Sequence, residues 1–186
     1  MEKKEWSVIE LPGVVDVTNY QDKDLPWERG LIRYFGPGRV DWKEETQVPG
    51  SLARYNHPKY KDLHLGMMGI IEEVIGEKLY PTYYYDRYYF KGHDLKPHTD
   101  RGSCEVSCTL NINHNLNYDW TINFHRDNSE PLSCVTNPGD AAIYSGCTIT
   151  HWRDPMKGNK DSFYNQLFLH YVRRNGHYVQ HAFDKE

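Results

Sequence analysis

The chain has 186 residues, 38% of them hydrophobic and 26% charged, with a formal net charge of −4. That length fits one domain with a sizeable core, and the apolar content excludes a disordered polyelectrolyte. With no basic run, a non-specific binder of phosphate backbones is excluded as well, and no nucleic-acid partner is expected.

The four cysteines, Cys104, Cys108, Cys134 and Cys147, form no Cys-x-x-Cys pair, which argues against a zinc ribbon. Cys104 and Cys108 share parity on an expected strand and read as small core residues. No apolar run follows Met1-Glu2-Lys3-Lys4, so no export signal is expected. No stretch is long enough to span a membrane, and a reduced, cytoplasmic setting is the default expectation.

Residues 1–20 alternate loosely through Trp6, Val8, Val14, Val15 and Val17 and read as outer strands. Leu25-Pro26-Trp27 can open a short helix through Arg33, and Gly36-Pro37-Gly38 reads as a turn. Asp41 to Tyr55 reads as a long surface loop. Asn56 is then placed to cap a helix, with Pro58 near its first position. Tyr60, Leu63, Met67, Ile70, Ile71 and Val74 recur at three- and four-residue spacing as one apolar stripe. Gly76 or the Leu79-Tyr80-Pro81 stretch ends it.

After Pro81 the period changes to that of strands. The expected strands are 82–90, 95–100, 105–113, 120–124, 133–136, 140–144, 148–153 and 164–173. Gly92, Gly102, Asp127-Asn128, Pro138-Gly139 and Gly146 punctuate them. Eight short strands in about ninety residues point to a jelly roll or cupin-like barrel. On the 104–113 strand one face is apolar (Cys104, Val106, Cys108, Leu110, Ile112) and the other polar (Glu105, Ser107, Thr109, Asn111, Asn113). Two readings stay open: core against solvent, or an apolar face under the long helix with the polar face lining a cavity. Gln166, Phe168 and His170 show a similar split in the last strand.

His98 and Asp100 are two residues apart in extended chain and so point the same way, about 6–7 Å apart along the strand. A third ligand from elsewhere completes a two-histidine, one-carboxylate site with open positions, and His151 is the candidate.

These residues carry a resemblance. Tyr89-Phe90-Lys91-Gly92-His93-Asp94-Leu95-Lys96-Pro97-His98-Thr99-Asp100, Pro138-Gly139-Asp140-Ala141-Ala142-Ile143-Tyr144 and the later His151 resemble, in order and spacing, the prolyl-hydroxylase-like branch of the 2-oxoglutarate/Fe(II)-dependent dioxygenases, over roughly residues 57–173. The resemblance implies one dioxygenase domain over 1–186, mainly β with flanking helices. Its fold would be a double-stranded β-helix, with one long helix packed on the major sheet.

The resemblance also implies Fe(II) held by His98, Asp100 and His151, with 2-oxoglutarate and O2 as cosubstrates and succinate and CO2 as products. A carboxylate at position 100 favours hydroxylation over halogenation. For the far carboxylate of 2-oxoglutarate it implies a cation nine or ten residues after the last histidine, where Lys160 stands. Arg153 is the competitor: it shares the parity of His151, and its bland reading is an ion pair with Asp154 or Asp140. Tyr89 and Asn111 match weaker cosubstrate positions. If Tyr89 faces inward, Tyr83, Tyr85 and Arg87 share its face and Arg87 could then touch cosubstrate or substrate, although a surface ion pair is its simpler reading.

The substrate favoured by the resemblance is a prolyl or other amino-acid or peptide group. Two alternatives remain: a cupin-like module that binds a metal or small ligand without turnover, and a nucleic-acid demethylase of the same superfamily.

Overall fold

The computed structural model describes residues 7–23 and 42–185. Among them eleven strands form two antiparallel sheets. The major sheet has the order β1 (Val8–Leu11), β9 (Ala141–Ser145), β6 (Val106–His114), β11 (Phe163–Arg173), β4 (Leu79–Phe90), β3 (Leu52–Tyr55), β2 (Lys43–Glu44). The minor sheet has the order β5 (Leu95–His98), β10 (Thr150–Arg153), β7 (Ile122–His125), β8 (Leu132–Cys134). Each of the eight strands expected after Pro81 is present, with ends shifted by up to three residues. The architecture is the expected mainly-β jelly roll with one helix on the major sheet.

That helix, α1, spans Lys61–Ile75 after a 3-10 turn at Pro58–Tyr60. Asn56 does not cap it. Asn56 adopts a positive φ of 53° in the preceding turn, and the His57 ring accepts from the Lys59 amide instead. Gly76 ends the helix in the left-handed region, φ 71°, where a side chain would be strained; its N–H bonds Glu72 O at 2.9 Å. Leu63, His64, Met67 and Ile71 are buried. Ile70 and Val74 lie at the margin of the stripe and stay partly exposed.

Tyr60, Leu63, Met67 and Ile71 pack on Val106, Cys108, Leu110 and Ile112 and on Leu167, Leu169 and Tyr171. The apolar face of β6 therefore lies under α1. Its polar face (Ser107, Thr109, Asn111) is fully buried as well and points between the sheets. Of the two readings left open by parity, core against solvent fails because the polar face is buried, but none of its residues is part of the cavity lining itself.

Residues 42–55 correct the expectation of a surface loop in part: 45–51 is a loop, mostly exposed, but Lys43–Glu44 and Leu52–Tyr55 are strands. Leu52, Ala53 and Arg54 are buried in β3, which pairs with β4 from Leu52↔Tyr88 to Tyr55↔Tyr85. Arg54 conceals the strand in the sequence, because its charge is neutralised only in three dimensions, by Asp86 at 2.6 Å and Asp22 at 2.9 Å. Pro81 is tolerated in β4 because, although it pairs with Tyr171 of β11, it lies beyond the end of the β3 pairing, and on that side its carbonyl accepts from Phe183 N–H at 2.7 Å. The short helix and turn expected at residues 25–38 lie outside the described residues. No helix among the described residues is long and apolar enough to cross a membrane.

Candidate metal centre

His98 ends β5, and His151 pairs directly with it from the neighbouring β10. The two rings lie 4.3 Å apart between centroids. Asp100 follows in the turn after β5, where its N–H bonds Gly146 O at 2.8 Å. One carboxylate oxygen, Oδ1, lies 3.3 Å from Nε2 of both histidines.

The Nδ1–H of His98 donates to Lys96 O at 2.8 Å, and that of His151 to Ile149 O at 2.9 Å. These bonds fix the tautomer and leave both Nε2 lone pairs aimed at the carboxylate, as metal-binding histidines are usually held. A divalent metal about 2.1 Å from each donor separates neighbouring donors by roughly 3.0–3.4 Å, which matches this spacing. The donor set, two imidazoles and a carboxylate on one side, suits Fe(II) with positions left open. Gly146 allows the turn after β9 to pass against Asp100. A Cβ there would lie 2.6 Å from Asp100 Oδ2 and hard against the Cys104 carbonyl oxygen.

Burial alone pushes the Asp100 carboxyl up, but the His151 and His98 imidazoles beside it, which attract the ionised carboxylate when protonated, outweigh this and hold it well below the usual carboxylate range. It is an anion at neutral pH, as a metal ligand must be. Ser107 Oγ donates to Asp100 Oδ2 at 3.3 Å and pairs with His170 Nδ1 at 2.9 Å. His170 is held neutral, at about 4, chiefly by burial, and its Nε2 has no partner among the described residues. Burial, and next the Asp100 charge, push the Cys104 thiol up to about 12.

The three candidate ligands open onto a cavity of about 580 Å³ between the sheets. Tyr55, Tyr83, Tyr85 and Phe168 form an aromatic wall. Arg87 and Glu45 line it beside that wall, with the Arg87 guanidinium 5.5 Å from the Tyr85 and Phe168 ring centres, and Tyr144 closes it beside His151 at 4.7 Å.

The remaining sequence candidates fall into different places. Tyr89 is fully buried on the Arg87 side of β4, where its hydroxyl accepts from Arg87 at 3.0 Å. Asn111 is fully buried, and neither atom of its side-chain amide has a partner among the described residues. Lys160 is exposed in the turn before β11 and does not line the cavity.

Arg153 is buried but lies behind the cavity lining. It donates to Trp120 O at 3.0 Å and Gln166 Oε1 at 3.3 Å and lies over the Trp120 and Tyr164 rings. Among the described residues it makes no ion pair with Asp154 or Asp140. Arg87, read as a surface ion pair, has a side chain only 1% exposed and is part of the cavity wall. Cys104, Ser107 and Gln47 were not singled out as site residues. The polar parity of β6 was the signal for Ser107; Gln47 lies in an exposed loop, where the sequence carries no signal for it.

No protein-family model matches the chain, and no curated protein is similar to it in sequence. Solved structures do share its fold. A Pseudomonas putida prolyl-4-hydroxylase is similar over 91% of this chain and 94% of its own, with a TM-score of 0.63 at 12% identity. HygX from Streptomyces hygroscopicus, solved with nickel, 2-oxoglutarate and hygromycin B, is similar over 88% and 82%, with a TM-score of 0.62 at 12% identity. The viral collagen prolyl hydroxylase of Paramecium Bursaria Chlorella virus-1 is similar over 92% and 98%, with a TM-score of 0.60 at 9% identity. The described residues thus have the double-stranded β-helix fold of the 2-oxoglutarate/Fe(II) oxygenases.

Proposed function

We propose that this chain is an Fe(II)- and 2-oxoglutarate-dependent dioxygenase that hydroxylates an unactivated C–H bond. The observation that carries the reading is the convergence of His98, Asp100 and His151 on one point at the wall of a cavity large enough for a cosubstrate and part of a substrate. Bound there, Fe(II) and 2-oxoglutarate would supply the oxidising chemistry, with O2 consumed and succinate and CO2 released.

The chain's own residues do the rest. Lys96 O and Ile149 O orient the two imidazoles, and the Asp100 carboxylate supplies the negative charge that retains a divalent cation. Tyr144, Leu95 and Phe168 are buried against the site and keep bulk water from it. The far carboxylate of the cosubstrate requires a buried cation. Arg153 and Arg87 are the buried arginines on this side of the fold, whereas Lys160 is exposed.

The substrate is an amino-acid or peptide group, with a prolyl ring favoured. The flat faces of Tyr55, Tyr83 and Tyr85 offer a surface on which a saturated ring packs, and prolyl hydroxylases are among the proteins that share this fold. The test is succinate formation from 2-oxoglutarate with Fe(II) and O2 against a panel of amino acids and proline-containing peptides, with mass spectrometry for a product heavier by one oxygen atom. Metal binding with no succinate and no 2-oxoglutarate binding would favour the non-catalytic binding module instead.

A further inference from the structure

The candidate metal centre leaves two metal-binding side chains beside it unused. Cys104 Sγ, an imidazole nitrogen of His170 and a carboxylate oxygen of Asp100 all lie within 4.8 Å of one another. They come from three parts of the fold: the 3-10 turn Gly102–Cys104, the late part of β11 and the turn after β5. Cys104 is 4% exposed and His170 3%. Both belong to the lining of the cavity, so a small ion reaches them without the fold opening.

Hydrogen bonding leaves this trio with capacity to spare. His170 pairs with Ser107 across β11 and β6, and its Nδ1 lies 2.9 Å from Ser107 Oγ. Ser107 Oγ has one proton, and two acceptors compete for it, the Cys104 carbonyl at 3.0 Å and Asp100 Oδ2 at 3.3 Å. Nδ1 is therefore the donor of its pair, and the lone pair of the neutral ring sits on Nε2. Nε2 is buried with no partner among the described residues, an uncommon state for a buried polar atom. The thiol of Cys104 meets Tyr83 Oη at 3.3 Å, a pair in which either atom can donate. The two oxygens of Asp100 face different ways. Oδ1 lies 3.3 Å from Nε2 of both His98 and His151, whereas Oδ2 lies on the Ser107 side. One carboxylate can thus serve two cations.

We infer that Cys104, His170 and Asp100 form a second metal site, built for a thiophilic cation of the Zn(II) class, with Asp100 bridging it to the first centre. Sulfur, nitrogen and oxygen donors in a buried pocket are a zinc set, whereas the sulfur-free set of His98, Asp100 and His151 suits Fe(II). A tetrahedral zinc holds its ligands roughly 3.3–3.8 Å apart. The trio closes by about an ångström on binding, a movement that rotation of the Cys104 side chain supplies. The thiol releases its proton to solvent, since the thiolate is the ligand. Tyr83 Oη then donates to the sulfur from outside, and a water completes the fourth position. Apart from Asp100, no residue of this site has a role in the dioxygenase reading, and the inference does not depend on it.

The experiment is an anaerobic titration of the metal-free full chain with Co(II), which stands in for zinc and reports sulfur ligation. The readouts are the thiolate-to-cobalt charge-transfer band in the near ultraviolet and the cobalt bound per chain at equilibrium dialysis. Wild type should bind two Co(II) and show the band. Cys104→Ser should bind one and lose the band. His151→Ala should lose the other equivalent and keep the band. Wild type without a band, or a band that survives in Cys104→Ser, overturns the site. So does a band lost in His151→Ala, because the sulfur would then be a ligand of the first centre.

If Cys104→Ser does not fold, Cys134→Ser and Cys147→Ser decide. The band should persist in both, since the remaining thiol, Cys108, packs under α1 away from the cavity; its loss in either overturns the assignment. Wild type that binds a single Co(II), with the sulfur band, supports this site and contradicts the first centre, so the two readings fail separately.

Discussion

Gly146 stands where the turn after β9 crosses the Asp100 turn, and a single added methyl group there should disable the proposed metal centre. Its backbone is outside the positive-φ region, so space rather than conformation excludes a side chain. A Cβ would lie 2.6 Å from Asp100 Oδ2 and 2.9 Å from Ser107 Oγ, and closest of all to the Cys104 carbonyl oxygen. The carbonyl belongs to a backbone pinned by Cys104 N–H to Arg101 O at 2.9 Å and Gly146 N–H to Glu105 O at 3.1 Å, so it cannot yield as a surface side chain would.

The Gly146→Ala substitution must therefore shift the Asp100 turn by several tenths of an ångström or more. Overpacking of this kind costs about 1–3 kcal/mol, which in a chain of this size lowers Tm by roughly 2–12 °C. Displacing the carboxylate should weaken metal binding by about 10–100-fold, the usual effect of disturbing a ligand's support. Differential scanning fluorimetry and Mn(II) titration by electron paramagnetic resonance measure the two effects. A Gly146→Ala protein with wild-type Tm and wild-type Mn(II) affinity would refute the packing argument.

Two further outcomes follow from buried charges. Arg54→Met leaves Asp86, whose side chain is fully buried, without its cation. Asn165 and Tyr60 remain as partners, so the loss should be about 3–5 kcal/mol in urea unfolding; a loss under 1 kcal/mol would contradict the pairing. His64, buried between α1 and the major sheet, is held near a pKa of about 4, chiefly by burial, with its bond to His170 O acting in the opposite sense. The unfolded chain binds this proton below about pH 6.5 and the folded chain only below about 4, so stability is lost as pH falls through that window. The contribution is about 3 kcal/mol. His57 and His170 titrate in the same direction. His64→Gln, which can keep a donor to His170 O, should flatten the decline by one proton in urea unfolding between pH 7 and 4. An unchanged slope would mean the ring is protonated in the fold.

Much of this architecture was legible because the chain after Pro81 obeys period two and is cut by glycine and proline at each turn. His98 and Asp100 were legible as a pair, and His151 as their partner, because the family's pattern runs through all three. Parity could not choose between the two faces of β6, since burial under α1 and burial between the sheets give the same alternation. The structure shows that both faces are buried.

β3 and the cavity side of β4 were less legible for a different reason. Arg54 and Arg87 look like surface residues in one dimension, and only the fold supplies the carboxylates, amides and aromatic faces that let arginine be buried. Arg153 shows the converse: its parity with His151 placed it on the inward face correctly, but parity along a strand does not tell how far a side chain lies behind a cavity wall.

The most direct measurement is iron content and succinate output of wild type and His151→Ala, compared at equal folded concentration. If His98, Asp100 and His151 hold the iron, wild type retains one Fe(II) per chain and converts 2-oxoglutarate to succinate under O2. His151→Ala then does neither, while its circular dichroism is unchanged. Succinate formed equally by both proteins, or a wild type that retains no iron, would contradict the metal centre.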